Sequence, residues 1–244
     1  MERKKYLIIA FLIIPLMSVF ADNKSEIYSA YINNRMDQWK SVIDRMQVSK
    51  PASDETLLEL INYQYGYIGY CLGFKKEDEA EKYLDLAENN TEQLEKKNYK
   101  PSVLSAYRSA FYGYRIALNR LSAPVNGMKS LNNAKKAIET DAMNYLGYVQ
   151  YGNAKFYMPS SFGGSKQEAL GHFSKARKLL EADPQQLRGN WNYLSLLVTI
   201  GQSYTYLKEF DKAKAVYDEI LKIEPGFLYV KNDLYPKLLT KMKQ

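Results

Sequence analysis

Scarcity sets the first limits on this sequence. Cys71 is the single cysteine among 244 residues, so no disulfide framework forms within the chain. His172 is the single histidine. One Cys and one His leave almost nothing for a His/Cys metal site or a cysteine–histidine nucleophile pair. A lone histidine with no partner His, Cys or carboxylate pair nearby reads as a satisfied or surface side chain. Strand signals are scarce too: period-two alternation is nearly absent, and Asn126-Gly127 sits between helical patterns. No stripe of one charge sign appears. Acids and lysines interleave, as in Lys75-Lys76-Glu77-Asp78-Glu79, which argues against a nucleic-acid partner. Phe162-Gly163-Gly164-Ser165-Lys166 lacks the spacing of a phosphate loop and follows no strand. The expectation is therefore a non-enzyme without metal or cofactor.

What is present is an ordinary globular balance, 46% apolar and 25% charged, with one unusual number: 22 tyrosines. The length is ample for a buried core. The start stands apart. Arg3, Lys4 and Lys5 precede an apolar run, Tyr6 to Phe20, and Val19-Phe20-Ala21 leads into polar Asp22-Asn23-Lys24. A basic start, a short apolar stretch and a small-residue exit describe a secretory signal peptide, cleaved after Ala21. The run is shorter than the roughly 20 residues that span a bilayer. An uncleaved anchor is the rival reading, and it would be the chain's only attachment to a membrane. No cysteine lies near the exit to mark a lipoprotein. The segment carries a net +2 from Glu2, Arg3, Lys4 and Lys5, which takes the chain's +7 to +5 for residues 22–244. The expected destination is the periplasm of a bacterial cell envelope.

Beyond residue 21 apolar positions recur three and four apart. Helices are expected near 25–47, 54–73, 77–97, 102–121, 128–141, 145–158, 165–182, 190–207, 210–222 and 227–242. Stops fall at Lys50-Pro51, Lys100-Pro101, Ala123-Pro124, Met158-Pro159, Asp183-Pro184 and Glu224-Pro225, because the residue before proline disfavours helix. Pro236 predicts a kink or restart in the last helix. Ser165-x-x-Glu168 reads as a capping box.

These helices repeat. Leu197-x-x-Ile200-Gly201-x-x-Tyr204 is followed by Ala213-x-x-x-Tyr217, with Phe210 opening the second helix, Ile220 at a packing position and Pro225 ending the unit. This resembles the tetratricopeptide repeat, with Leu197 in place of the usual Trp. The packing reason is plain: Gly201 and Ala213 let two helices cross closely. Tyr148-x-x-Tyr151-Gly152 and Ala169-x-x-x-Phe173-x-x-Ala176 repeat it, with 17 residues from Gly152 to Ala169 against 12 from Gly201 to Ala213. The extra residues fall in 158–164. Looser copies are Ser109-x-x-Tyr112-Gly113 with Ala134 and Ala137, and Tyr65-x-x-Ile68-Gly69 with Ala80, Leu84 and Ala87. The resemblance covers about 60–227 and implies an all-α fold, a right-handed α–α superhelix of antiparallel pairs. The implied division is a signal peptide at 1–21 and an N-terminal capping helix and linker at 22–53. About four helix pairs follow over 54–227, then a C-terminal capping helix at 228–244, since a terminal repeat otherwise exposes an apolar face.

In that family the first helix of each pair lines a concave groove. The matching positions are Tyr63, Tyr70, Tyr107, Tyr114, Asn153, Phe156, Tyr157, Gln202 and Tyr206. Tyrosine offers large contact area and one polar tip, which suits recognition. The bland alternative for each is packing between repeats. The family's clamp for a terminal carboxylate needs Lys where this chain has Ala110 and Val149, so that clamp is not implied. The leading expectation is a scaffold for a protein or peptide partner. The alternative rests on Phe162-Gly163-Gly164-Ser165-Lys166-x-Glu168-Ala169-x-x-His172-Phe173-x-x-Ala176, which looks like a stretch of T-component proteins of TRAP-type uptake systems. That likeness implies an envelope transport accessory binding a small hydrophobic ligand.

Overall fold

Capping side chains and proline stops divide the chain into helices. The computed structural model describes residues 22–243, and the expected signal peptide, 1–21, lies outside them. Eleven α-helices follow in order among these residues: α1 Asn23–Ile32, α2 Met36–Ser49, α3 Asp54–Gly73, α4 Glu77–Lys96, α5 Pro101–Leu118, α6 Ala123–Thr140, α7 Tyr145–Tyr157, α8 Lys166–Glu181, α9 Trp191–Tyr206, α10 Phe210–Ile223 and α11 Tyr235–Met242. No strand occurs among the described residues. Starts are fixed by side chains that accept orphan backbone N–H groups: Ser53 for α3, Asn144 for α7, Ser165 for α8 and Asn190 for α9. Each helix packs most extensively on a sequence neighbour, α3 with α4, α5 with α6, α7 with α8 and α9 with α10. The result is an all-α helical solenoid.

Three details depart from the sequence reading, and a fourth, the restart at Pro236, follows it. The helix expected over 25–47 is two helices, parted at Asn33–Arg35, where Asn34 takes φ +54°. Asparagine tolerates that left-handed conformation, so the break needs neither Gly nor Pro. The stop expected at Ala123-Pro124 is instead the start of α6, because a proline within the first turn removes an N–H that would be orphaned anyway. Only half of the capping box forms. Ser165 Oγ accepts from the Glu168 N–H at 3.1 Å, but the Glu168 carboxylate turns to Lys155 and the Ser165 N–H donates to the Lys155 carbonyl. Ahead of Pro236 the backbone widens into a π turn over Val230–Leu234 before α11 begins.

The repeat glycines act where the motif is strongest. A Cβ on Gly201 would meet the Tyr217 ring at 2.3 Å, and one on Gly152 would meet the Phe173 ring at 2.5 Å. Each glycine thus seats a buried aromatic of its partner helix. Ala80, Ala137, Ala169, Ala176 and Ala213 are fully buried at the crossings, Tyr204 is half-buried, and Pro225 follows the end of α10. Upstream the pattern changes meaning. Gly113 faces open space, and Gly69 touches the Tyr114 hydroxyl of α5 rather than its own partner helix. The close approach on α3 is made at Gly66, and it too lies outside the α3–α4 pair: a Cβ there would strike the indoles of Trp39 on α2 and Trp191 on α9 at 2.7 Å.

Those indoles show how the stack ends meet. One core is built mainly from α1 to α5, joined by Ala137 of α6 and Leu146 of α7, and a second from α8 to α11. Trp191 stands on α9 yet packs in the first core: 4.9 Å from Trp39, 5.9 Å from Tyr31 and 6.2 Å from Tyr65 between ring centres. Tyr31 also lies 5.0 Å from Phe227, and Tyr28 donates to Glu224 at 2.9 Å across 196 residues. The first hairpin therefore reaches the last repeat. Gly201→Ala should destabilise the fold by about 1–3 kcal/mol through overpacking. Gly113→Ala should leave it unchanged or gain up to about 1 kcal/mol from helix propensity. Urea unfolding of the two variants checks the contrast.

Candidate functional site

Closure decides which groove positions remain free. Tyr63 is 2% exposed and Tyr107 4%. Tyr63 donates to the Glu59 carboxylate and packs edge-on to Trp39, whose Nε1–H donates to the Tyr63 carbonyl at 2.9 Å. Tyr107 donates to Asn62 Oδ1 at 3.1 Å, and half-buried Tyr114 donates to the Tyr65 carbonyl at 3.1 Å while stacking on the Tyr65 ring. Gln150 from α7 closes the set by donating to the Tyr65 hydroxyl at 3.0 Å. Burial raises the pKa of Tyr65, Tyr107 and Tyr114, so all three hydroxyls stay neutral. The expectation that Tyr63, Tyr107 and Tyr114 line an open trough is corrected: they fill the inner face of the solenoid as core. Tyr70 stands apart, half-buried between Tyr67 and Phe74 with Lys76 over its ring.

The remaining positions gather at one end of α7 and α9. Phe156 lies 5.2 Å from Tyr157 and 5.5 Å from Tyr206, edge to face in both pairs. Lys166, the first residue of α8, places its ammonium 5.1 Å from the Phe156 ring and 5.5 Å from Tyr206. Tyr157 is 80% exposed and Tyr206 63%. One turn below, Asn153 donates to Gln150 and lines a narrow recess shared with Tyr65, Tyr145, Val149, Asn192, Ser195 and Thr199. Gln202 is exposed, with its amide 3.4 Å from the Tyr229 hydroxyl.

The connection between α7 and α8 begins directly after Tyr157. Its extra residues are held tightly. Gly163 sits at φ +89°, and a Cβ on Gly164 would lie 1.9 Å from the Met158 carbonyl oxygen. Lys155 donates to the Gly163 carbonyl at 3.2 Å and pairs with Glu168 at 3.1 Å. Phe162 is presented from this tied segment 78% exposed. Sequence reasoning singled out the segment but gave neither Phe162 nor Lys166 a place in the site. The signal that finds them is an aromatic and a lysine on an over-long connection between two repeat helices.

Nothing nearby supplies acid–base chemistry. His172 packs 4.4 Å from the Tyr151 ring, and burial lowers its pKa against the opposing pull of Glu168, 3.8 Å away. Cys71 is buried, and desolvation pushes its thiol up to about 11, away from nucleophilic reactivity. No group of three or more His, Cys, Asp or Glu among the described residues is placed to hold a metal ion. No helix among them is long and apolar enough to cross a membrane.

No protein family and no curated protein matches the sequence. Solved structures do match the fold. The HusA haemophore from Porphyromonas gingivalis superposes with a TM-score of 0.60 at 16% identity, over 75% of this chain and 90% of that one. A thermophilic TPR protein from Thermus thermophilus gives a TM-score of 0.56 at 15% identity, over 90% of this chain and 100% of that one. At these identities the likeness establishes the helical-repeat architecture.

The two classes of tyrosine separate experimentally. Tyr107→Ala removes a buried aromatic and should cost about 3–5 kcal/mol. Tyr206→Ala, on the open rim, should cost under about 0.5 kcal/mol. Thermal unfolding of the two purified variants checks this.

Proposed function

We propose that this chain is an exported helical-repeat binding protein that captures a protein or peptide partner on the rim formed by Phe156, Tyr157, Phe162 and Tyr206. One observation carries the reading. The chain packs Tyr63, Tyr107, Trp39 and Trp191 into its interior, yet leaves Tyr157, Phe162 and Tyr206 between 63% and 80% exposed at one end of the stack. Water-exposed large rings grouped on a folded surface mark an interaction site. The TPR-like architecture supports a scaffold role, and the basic-then-apolar start with its small-residue exit at Ala21 supports export to the periplasm.

A second reading has its own support. The haemophore likeness runs over 90% of that protein's chain. It favours a small ligand, and the transport-accessory resemblance of 162–176 implies a hydrophobic one. Affinity capture from envelope extract, with native mass spectrometry of the same sample, distinguishes them. The scaffold reading predicts a protein partner that is lost from Tyr157→Ser/Tyr206→Ser while the melting curve stays unchanged. A co-purifying small apolar molecule with no protein partner contradicts it and favours the second reading.

A further inference from the structure

Resting on that rim reading, we infer that the partner is an acidic peptide segment, with an apolar or aromatic side chain laid on the rings and a neighbouring carboxylate paired to Lys166. The charge argument is local. Lys166 has no carboxylate partner within 4.0 Å among the described residues; its ammonium rests over Phe156 and Tyr206 alone. The nearest sequence acid, Glu168, is committed to Lys155 at 3.1 Å and faces His172 at 3.8 Å. Lys155 is thereby neutralised and Lys166 is not.

The Lys166 ammonium lies over two ring faces in a half-buried setting. A ligand carboxylate reaches it without displacing it from the rings. Lys166 also opens α8, whose first-turn dipole favours negative charge on the same side. A basic segment would meet a like charge at the centre of the patch.

Shape selects a peptide over an engulfed small molecule. Tyr157, Phe162 and Tyr206 form an open surface, whereas small ligands take concave sites that enclose most of their area. The rim is also preorganised. The Met158–Ser165 connection is tied by Lys155 to the Gly163 carbonyl and by the Ser165 N–H to the Lys155 carbonyl, so presenting Phe162 requires little new ordering on binding.

Panning a random heptapeptide display library on the immobilised protein tests this. Enriched peptides should carry Asp or Glu beside Phe, Tyr, Trp or Leu. The best one, synthesised, should bind at least fivefold more weakly to Lys166→Glu, keep its affinity for Lys166→Arg, and lose affinity with added salt. Basic or uncharged winners that still need Tyr157 and Tyr206 overturn the charge assignment and leave rim binding standing. Winners indifferent to Tyr157, Tyr206 and Lys166, or no enrichment, overturn both. Melting curves matching wild type for both Lys166 variants confirm that binding, not folding, is being read.

Discussion

The contact between Trp191 and Trp39 determines the rest of this molecule. Two indoles from opposite halves of the chain meet at 4.9 Å over the bare backbone of Gly66, and Tyr31 and Tyr65 close around them. Each buried aromatic contributes roughly 1.5–3 kcal/mol by leaving water, and each ring pair about 0.5–1.5 more. That outweighs the cost of leaving the Trp191 indole N–H buried without an acceptor, about 1–3 kcal/mol. A helical-repeat stack holds together mainly through neighbours. Here Tyr28, Tyr31, Tyr145 and Val149 touch both cores, so the first hairpin locks the last repeat directly.

Closure has a functional consequence. An open stack offers its inner face to partners, but here the Tyr65 ring meets Tyr107 edge-on and stacks on Tyr114 inside it, and Gln150, Asn62 and the Tyr65 carbonyl partner the hydroxyls of Tyr65, Tyr107 and Tyr114 in turn. The large rings left in water, Tyr157, Phe162 and Tyr206, stand where α7 and α9 end and on the longer connection to α8.

Much of the fold was legible because helix periodicity and proline stops are local signals. The Gly201–Tyr217 and Gly152–Phe173 contacts were readable for the same reason: motif spacing fixes which side chain faces which within one pair. The seam was not. Spacing shows that Tyr31, Trp39 and Trp191 lie on apolar helix faces, but not that helices more than 150 residues apart cover one another. Nor did it show that Gly66, rather than Gly69, makes the tight approach on α3, and makes it to α2 and α9 instead of to its own partner helix. The same limit explains the groove. Position within a repeat placed Tyr63, Tyr107 and Tyr206 on equivalent faces, and only tertiary contacts, Trp39 of α2 on Tyr63 and Asn62 and Tyr65 of α3 on Tyr107, bury the first two and leave the third free.

The closed seam is the central claim, and Trp191→Ala tests it most directly. Equilibrium urea unfolding followed by far-ultraviolet circular dichroism should show one cooperative transition for the wild type. In the variant the two cores should separate into two transitions, the earlier one well below the wild-type midpoint. A single transition at an unchanged midpoint would contradict the account and would mean that the halves are held together by neighbour contacts alone.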